Sequence, residues 1–210
     1  MKKRLIGYGL LVAVLAGAWY AWPWLTLALQ RQHLASAPPP DLAAGARRLA
    51  VVTTLPLTAP QLAIDKSERR LTLYDGAREI KRYKIALGRA PVGHKQAEGD
   101  NRTPVGRYYI CVRTQETPYH LFMGLSYPNA DDARTAQKAG LLDTNSAGAI
   151  IAAENARQSP PWNTVLGGAI GIHGMGSFGD WTLGCMALDN ADIEELWAAT
   201  GYWTPVEITE

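Results

Sequence analysis

A histidine and a cysteine twelve positions apart are the residues best suited to chemistry in this chain. His173 follows a short apolar run (Ala169, Ile170, Ile172), and Cys185 sits inside Thr182-Leu183-Gly184-Cys185-Met186-Ala187. Four glycines lie between them, Gly174, Gly176, Gly179 and Gly184, too many for an unbroken helix or strand. A thiol becomes a nucleophile when a base takes its proton, and the base must be held close. Two short strands joined by a glycine-rich connection would bring His173 beside Cys185. Gly184, just before the thiol, would let a carbonyl approach with no Cβ in the way. The backbone N–H groups of Gly184 and Cys185 could then face a developing oxyanion. A lone cysteine among apolar residues is more commonly a buried small hydrophobe, and a lone histidine after a strand is more commonly structural. The pair and its spacing leave both readings open.

Two motifs in order narrow the choice. His173-Gly174 followed by Thr182-Leu183-Gly184-Cys185 resembles the active-site signature of the L,D-transpeptidase (YkuD-type) catalytic domain. Upstream, the stretch from Leu87 to Tyr108 contains Gly99-Asp100-Asn101-Arg102 and Thr103-Pro104-Val105-Gly106, similar to that family's G-D-x-R and T-P-x-G segments. With Ser126-Tyr127-Pro128-Asn129, the resemblance spans roughly Leu62 to Ile208. Leu183 stands where many members have His, and Ala187 where many have Arg; these departures touch acceptor choice and substrate contacts.

The elements that must position these residues read as mainly β. From Gln61 the apolar period becomes two. Leu71 to Tyr74, the turn pair Asp75-Gly76 and the run from Arg78 to Leu87 predict a hairpin with a type I′ turn, with Leu71, Leu73, Ile85 and Leu87 facing a core. Gly88 to Gly106 is a Gly-, Pro- and charge-rich loop, either a solvated connection or a substrate-facing one. Strands are expected at Arg107–Arg113, Leu121–Tyr127 and Thr204–Thr209. Asn129 can cap a helix through Ala139 that Gly140 ends, and a second helix fits Ala147 to Arg157 before Ser159-Pro160-Pro161. This helical excursion, residues 129–168, is either a rim or lid of the cleft or a plain surface insertion. Asp189 or Asn190 caps a last helix, which Gly201 ends. The resemblance implies an L,D-transpeptidase-like β-sandwich or open barrel with a few peripheral helices, preceded by an N-terminal transmembrane helix.

That helix is read from residues 1–30. Lys2-Lys3-Arg4 precedes an uncharged run from Leu5 to Gln30, long enough for the hydrocarbon layer, with Trp19, Tyr20, Trp22 and Trp24 near its far end. The positive flank keeps the N-terminus cytoplasmic, so the expectation is an inner-membrane anchor with the catalytic domain in the periplasm or cell envelope. Cleavage at Ala16-Gly17-Ala18 with secretion is the alternative. Residues 31–60, with Pro38-Pro39-Pro40, read as a linker, and 61–210 as the catalytic domain. The net charge is +2, and without Lys2, Lys3 and Arg4 the remainder carries roughly −1, which argues against a nucleic-acid partner. Four histidines and two cysteines show no metal-ligand spacing, and no cofactor is expected. Cys111 lies mid-strand and reads as inert; a Cys111–Cys185 disulfide would instead make both structural.

The resemblance implies an enzyme acting on peptidoglycan stem peptides. Cys185 would attack the carbonyl of the third stem residue, expel the terminal D-alanine, and pass the acyl group to an amine on a neighbouring stem. His173 would be the general base, steadied by a backbone carbonyl near Gly174 or Ser177, with Asp180 as a weaker candidate. A nearby imidazolium would hold part of the thiol as thiolate at neutral pH. Arg102, with Thr103 beside it, is the expected contact for substrate carboxylates, which a guanidinium reads in bidentate fashion. The alternatives are a hydrolase of the same fold that trims stems or releases an attached lipoprotein, and a non-catalytic murein-binding module.

Overall fold

The computed structural model describes residues 57–210. The expected membrane helix at 1–30 and most of the 31–60 linker lie outside them, and among the described residues no helix is long and apolar enough to cross a membrane. Among the described residues the first strand begins at Pro60.

Eight strands make one sheet: β1 (Pro60–Asp65), β2 (Arg70–Asp75), β3 (Arg78–Lys84), β4 (Gly106–Thr114), β5 (Phe122–Leu125), β6 (Gly171–His173), β7 (Met186–Ala187) and β8 (Pro205–Thr209). Their order is β3-β2-β1-β8-β4-β5-β6-β7. The β1–β8 and β6–β7 pairs are parallel and the others antiparallel. Of the expected sandwich or open barrel, the sheet takes the second form, a single half-barrel. Its outer strands are linked: Ala86, two residues past β3, exchanges both backbone hydrogen bonds with Ala187 of β7, at 2.8 and 2.9 Å. That link pins the Cys185 end of the sheet to the start of the 88–106 loop.

The hairpin forms as its alternation predicts. Its turn is Gly76-Ala77 rather than the expected Asp75-Gly76 pair in type I′ form: Asp75 pairs with Arg78 inside the strands, and of the turn residues only Gly76 takes a positive φ, 58°. Leu71, Leu73, Ile85 and Leu87 are all buried, joined by Leu62, Ile64, Ile110, Met123, Ile172, Met186, Val206 and Ile208 in one core. Burying each such aliphatic side chain contributes about 1.5–3 kcal/mol before entropy is charged against it.

Three helices flank the sheet: α1 (Ala130–Lys138), α2 (Thr144–Asn155) and α3 (Asn190–Ala199). A reciprocal capping box starts α1: the Asn129 side chain accepts from the Asp132 N–H at 2.9 Å, and Asp132 accepts from the Asn129 N–H at 2.8 Å. Helix α2 begins three residues before the expected Ala147, because Asp143 caps it by accepting from the N–H groups of Asn145 and Ser146. The first two helices enclose a second small core of Ala133, Ala136, Leu142, Ala147, Ile150 and Leu166. Helix α3 packs Ile193 and Leu196 on the main core.

Candidate active site

Strands β6 and β7 run parallel, pairing Ile172 with Met186 and His173 with Ala187. Cys185 therefore sits one residue before β7, beside the strand that ends in His173. The glycine-rich connection between them is fastened along its length. Gly176 N–H donates to the Leu188 carbonyl at 2.8 Å, Met175 N–H to the Asn190 side chain at 2.9 Å, and Ser177 N–H to Asp189 at 3.0 Å. Asp189 is the residue before α3, yet its carboxylate makes no helix cap; it is turned to Ser177 instead. Asp180 accepts from the Leu87 N–H at 3.0 Å and pairs with Arg69 at 2.7 Å. It is thereby committed to the loop, and the idea that it orients His173 is corrected.

The orienting group is the Gly174 carbonyl, 2.7 Å from His173 Nδ1. A carbonyl only accepts, so Nδ1 carries the hydrogen and Nε2 of the neutral ring keeps its lone pair. His173 is 2 % exposed. Its ring is stacked on Tyr119 (centroids 4.6 Å apart) and meets the edge of Trp181 at 5.6 Å. Trp181 in turn lies parallel to Phe178, which is 70 % exposed. Burial pushes the imidazole below its ordinary pKa, only partly opposed by the bond to Gly174.

The Cys185 residue is partly exposed, but its sulfur is closely surrounded, with Sγ 3.5 Å from the Ala169 carbonyl. Ala169 and Met175, flanking β6, both adopt left-handed backbone (φ 53° and 81°), a conformation that costs a non-glycine residue about 1–3 kcal/mol. Burial raises the thiol pKa to about 11, against the lowering effects of the Gly171 N–H and the Lys95 charge. Burial thus works against the charged form of both groups, and so against the expected thiolate fraction at neutral pH.

The oxyanion expectation also narrows. Gly184 N–H donates to Thr182 Oγ1 at 3.1 Å, and Gly174 N–H to the Tyr119 carbonyl at 3.1 Å, so neither is free to meet substrate. Gly184 has φ +135°, and a Cβ there would lie 2.7 Å from the Arg102 carbonyl: both the conformation and the close approach require glycine. Thr103 is 0 % exposed and accepts from the Gly88 N–H at 3.2 Å. It supports the loop from within, and a substrate contact through its hydroxyl is corrected. Arg102 stays half-buried, with its guanidinium beside Gly93 and in no ion pair among the described residues. Leu183 projects outward, 66 % exposed.

Cys111 and Cys185 are both free, so they form no disulfide. Among the described residues no cluster of His, Cys, Asp and Glu could hold a metal ion. A cavity of about 600 Å³ between Gln61, Tyr74, Arg107 and Glu207 includes neither His173 nor Cys185. The excursion of residues 129–168 returns along the 88–106 loop, where Glu98 N–H donates to the Val165 carbonyl at 2.9 Å, before delivering Ala169 to the thiol. Sequence reasoning missed Tyr119, since nothing local links it to His173. Trp181 and Phe178, by contrast, stood in plain view between the two motif ends.

The L,D-transpeptidase catalytic domain (YkuD) family model matches residues 59–208. The chain belongs to this family. No curated protein sequence matches it. Among solved structures, the helical cell shape determining protein Pgp2 (K307A mutant) of Campylobacter jejuni is similar at 22% identity and TM-score 0.50, over 79% of this chain and 54% of that one. An L,D-transpeptidase of Xylanimonas cellulosilytica is similar at 12% identity and TM-score 0.43, over 72% of this chain and 60% of that one. Bd1075 of Bdellovibrio bacteriovorus is similar at 22% identity and TM-score 0.47, over 73% of this chain and 48% of that one. The chain thus spans little more than half the length of the first of these, and at such identities the likeness concerns the fold.

Proposed function

We propose that the protein is a cysteine-dependent L,D-transpeptidase that transfers acyl groups between peptidoglycan stem peptides. The observation that carries this reading is the bond from His173 Nδ1–H to the Gly174 carbonyl, which leaves Nε2 as a base on the strand beside Cys185. Nε2 takes the Sγ proton as sulfur attacks the carbonyl carbon of the third stem residue. The C–N bond to the terminal D-alanine breaks, and the imidazolium returns the proton to the departing amine. The Cys185 N–H is the oxyanion donor, since those of Gly174 and Gly184 are engaged. Arg102, whose guanidinium lies beside Gly93 in no ion pair among the described residues, is the residue proposed to receive a stem carboxylate.

The thioester is then resolved by an amine of a neighbouring stem. Leu183, Phe178 and Trp181 support an amine over water, because an apolar rim lowers the local water activity around the acyl group. Residues 1–30 anchor the domain on the envelope side of the inner membrane, a placement supported by the Lys2-Lys3-Arg4 flank. Incubating the full-length protein with disaccharide tetrapeptides and weighing the products tests the reaction. Free D-alanine with cross-linked dimers is the expected result. Tripeptides alone would assign the hydrolase, and unchanged substrate would assign a binding module.

A further inference from the structure

Lys95 is 3 % exposed, an uncommon burial for an ammonium group. Its Nζ donates to Asp100 Oδ1 at 2.9 Å and to the Ala97 carbonyl at 2.8 Å, and lies 5.9 Å from the centre of the Tyr127 ring. Asp100 is the hub of the turn. Its Oδ2 accepts from the N–H groups of Gln96 (2.7 Å) and Ala97 (3.1 Å), and its Oδ1 also accepts from the Arg102 N–H (3.1 Å). Burial pushes the Asp100 carboxyl up, but Lys95 and these backbone donors hold it below the usual carboxylate range. The turn so fixed presses directly on the nucleophile's backbone. The Asn101 carbonyl lies where a Cβ on Gly88 would come within 2.1 Å, and the Arg102 carbonyl lies against Gly184. Cys185 is the next residue.

We infer that Lys95 is a positioning residue for Cys185: clamped on Asp100, its buried ammonium folds residues 95–102 into the support of the Gly184–Cys185 turn and directs positive charge toward the thiolate formed there. The inference rests on Cys185 being the nucleophile. The charged group that bears on the sulfur is Lys95 in the loop, with His173 on the neighbouring strand β6; those on Lys95 are Asp100 and Tyr127. The Lys95 charge opposes the rise that burial imposes on the thiol. A buried ammonium is costly unless it is paired, and an Asp–Lys pair at this place stabilises the turn while keeping a cation near the sulfur.

The test is the pH dependence of iodoacetamide labelling at Cys185 in the full-length protein, read by peptide mass, beside the melting temperature. This readout needs no stem peptide, so its failure is distinct from failure of the proposed transpeptidation. Lys95→Met should lower the labelling rate at a fixed pH by about tenfold, as expected for removing a nearby opposite charge, and Lys95→Arg should restore most of it. Asp100→Asn keeps the ammonium but removes its counter-charge. It should melt earlier and move the pH midpoint of Cys185 labelling downward, whereas a purely structural loosening raises the rate alike at every pH and leaves the midpoint in place. If Lys95→Met does not fold, the Asp100→Asn result alone decides. Labelling of Lys95→Met at the wild-type rate, or a midpoint that stays in place or rises in Asp100→Asn, would overturn the inference.

Discussion

The two cysteines of this domain are chemically the same and structurally opposite. Cys111 lies within β4, beside a register shift, with Sγ 3.5 Å from the Gly124 carbonyl. Cys185 lies at the end of a glycine-rich connection, with Sγ at the same distance from the Ala169 carbonyl. Burial pushes both thiols up. The direction of that shift therefore does not set them apart. What does is the surroundings: only Cys185 has an oriented imidazole on the adjacent strand and a buried ammonium behind its turn. On the proposed reading, Cys185 becomes a nucleophile as His173 takes its proton.

The sharpest way to break that comparison is to delete each sulfur. Cys185→Ala should abolish turnover on tetrapeptide substrates, measured by D-alanine release, while Cys111→Ala should keep it. Neither change should move the melting temperature much, because a small side chain replaces a small one. Loss of activity in the Cys111 variant alone would reverse the assignment. His173→Ala comes next, with kcat expected to fall by about 10²–10⁴ for a lost general base, and with the fold intact by circular dichroism.

The pH profile sharpens the same contrast. With a thiol at about 11, iodoacetamide labelling of Cys185 in the absence of substrate should climb about tenfold per pH unit through the neutral range and level only near that value. A plateau already at pH 6 would show a thiolate–imidazolium pair instead. For His173 the folded pKa lies below the ordinary value of 6.5, so the unfolded chain binds the proton more readily. Its contribution to stability is full above about pH 6.5 and is lost as pH falls through that value and below. Turnover should hold to a lower pH than an ordinary imidazole would allow.

The smallest expected effect concerns the connection between the two residues. Asp189→Ala removes the acceptor for both the N–H and the hydroxyl of Ser177. It should cost about 1–3 kcal/mol of unfolding free energy, in line with leaving partly buried donors unpaired. Helix α3 should persist, since Asp189 does not cap it.

Much of this was legible in the chain before any coordinates. Period-two alternation and the Asp75-Gly76 pair announced β2 and β3, and the caps at Asn129 and Gly140 bounded α1, because these signals are local. The start of α2 was misplaced since Asp143 was not recognised as its cap. The motif pair singled out Cys185 and His173, and the β6–β7 pairing sets them on neighbouring stretches, with Cys185 one residue before β7. Local sequence could not show that the N–H groups of Gly174 and Gly184 are already engaged, that Thr103 is sealed inside, or that Asp180 belongs to Arg69. The Gly174 and Asp180 partners lie tens to more than a hundred positions away, Thr103 is buried by the assembled sheet, and the bond of Gly184 to Thr182, two residues off, depends on the left-handed turn between β6 and β7. Lys95 and Asp100 looked like ordinary charges of a solvated loop for the same reason.

One measurement bears most directly on the central claim that Cys185, primed by His173, carries the acyl group. Full-length protein mixed with a tetrapeptide muropeptide is quenched in acid within a turnover and digested, and its peptides are weighed. The account predicts a thioester adduct on the peptide holding Trp181 to Met186, formed together with one D-alanine, and much slower to appear in His173→Ala. D-alanine released with no adduct there, or an adduct on the Cys111 peptide, would contradict it.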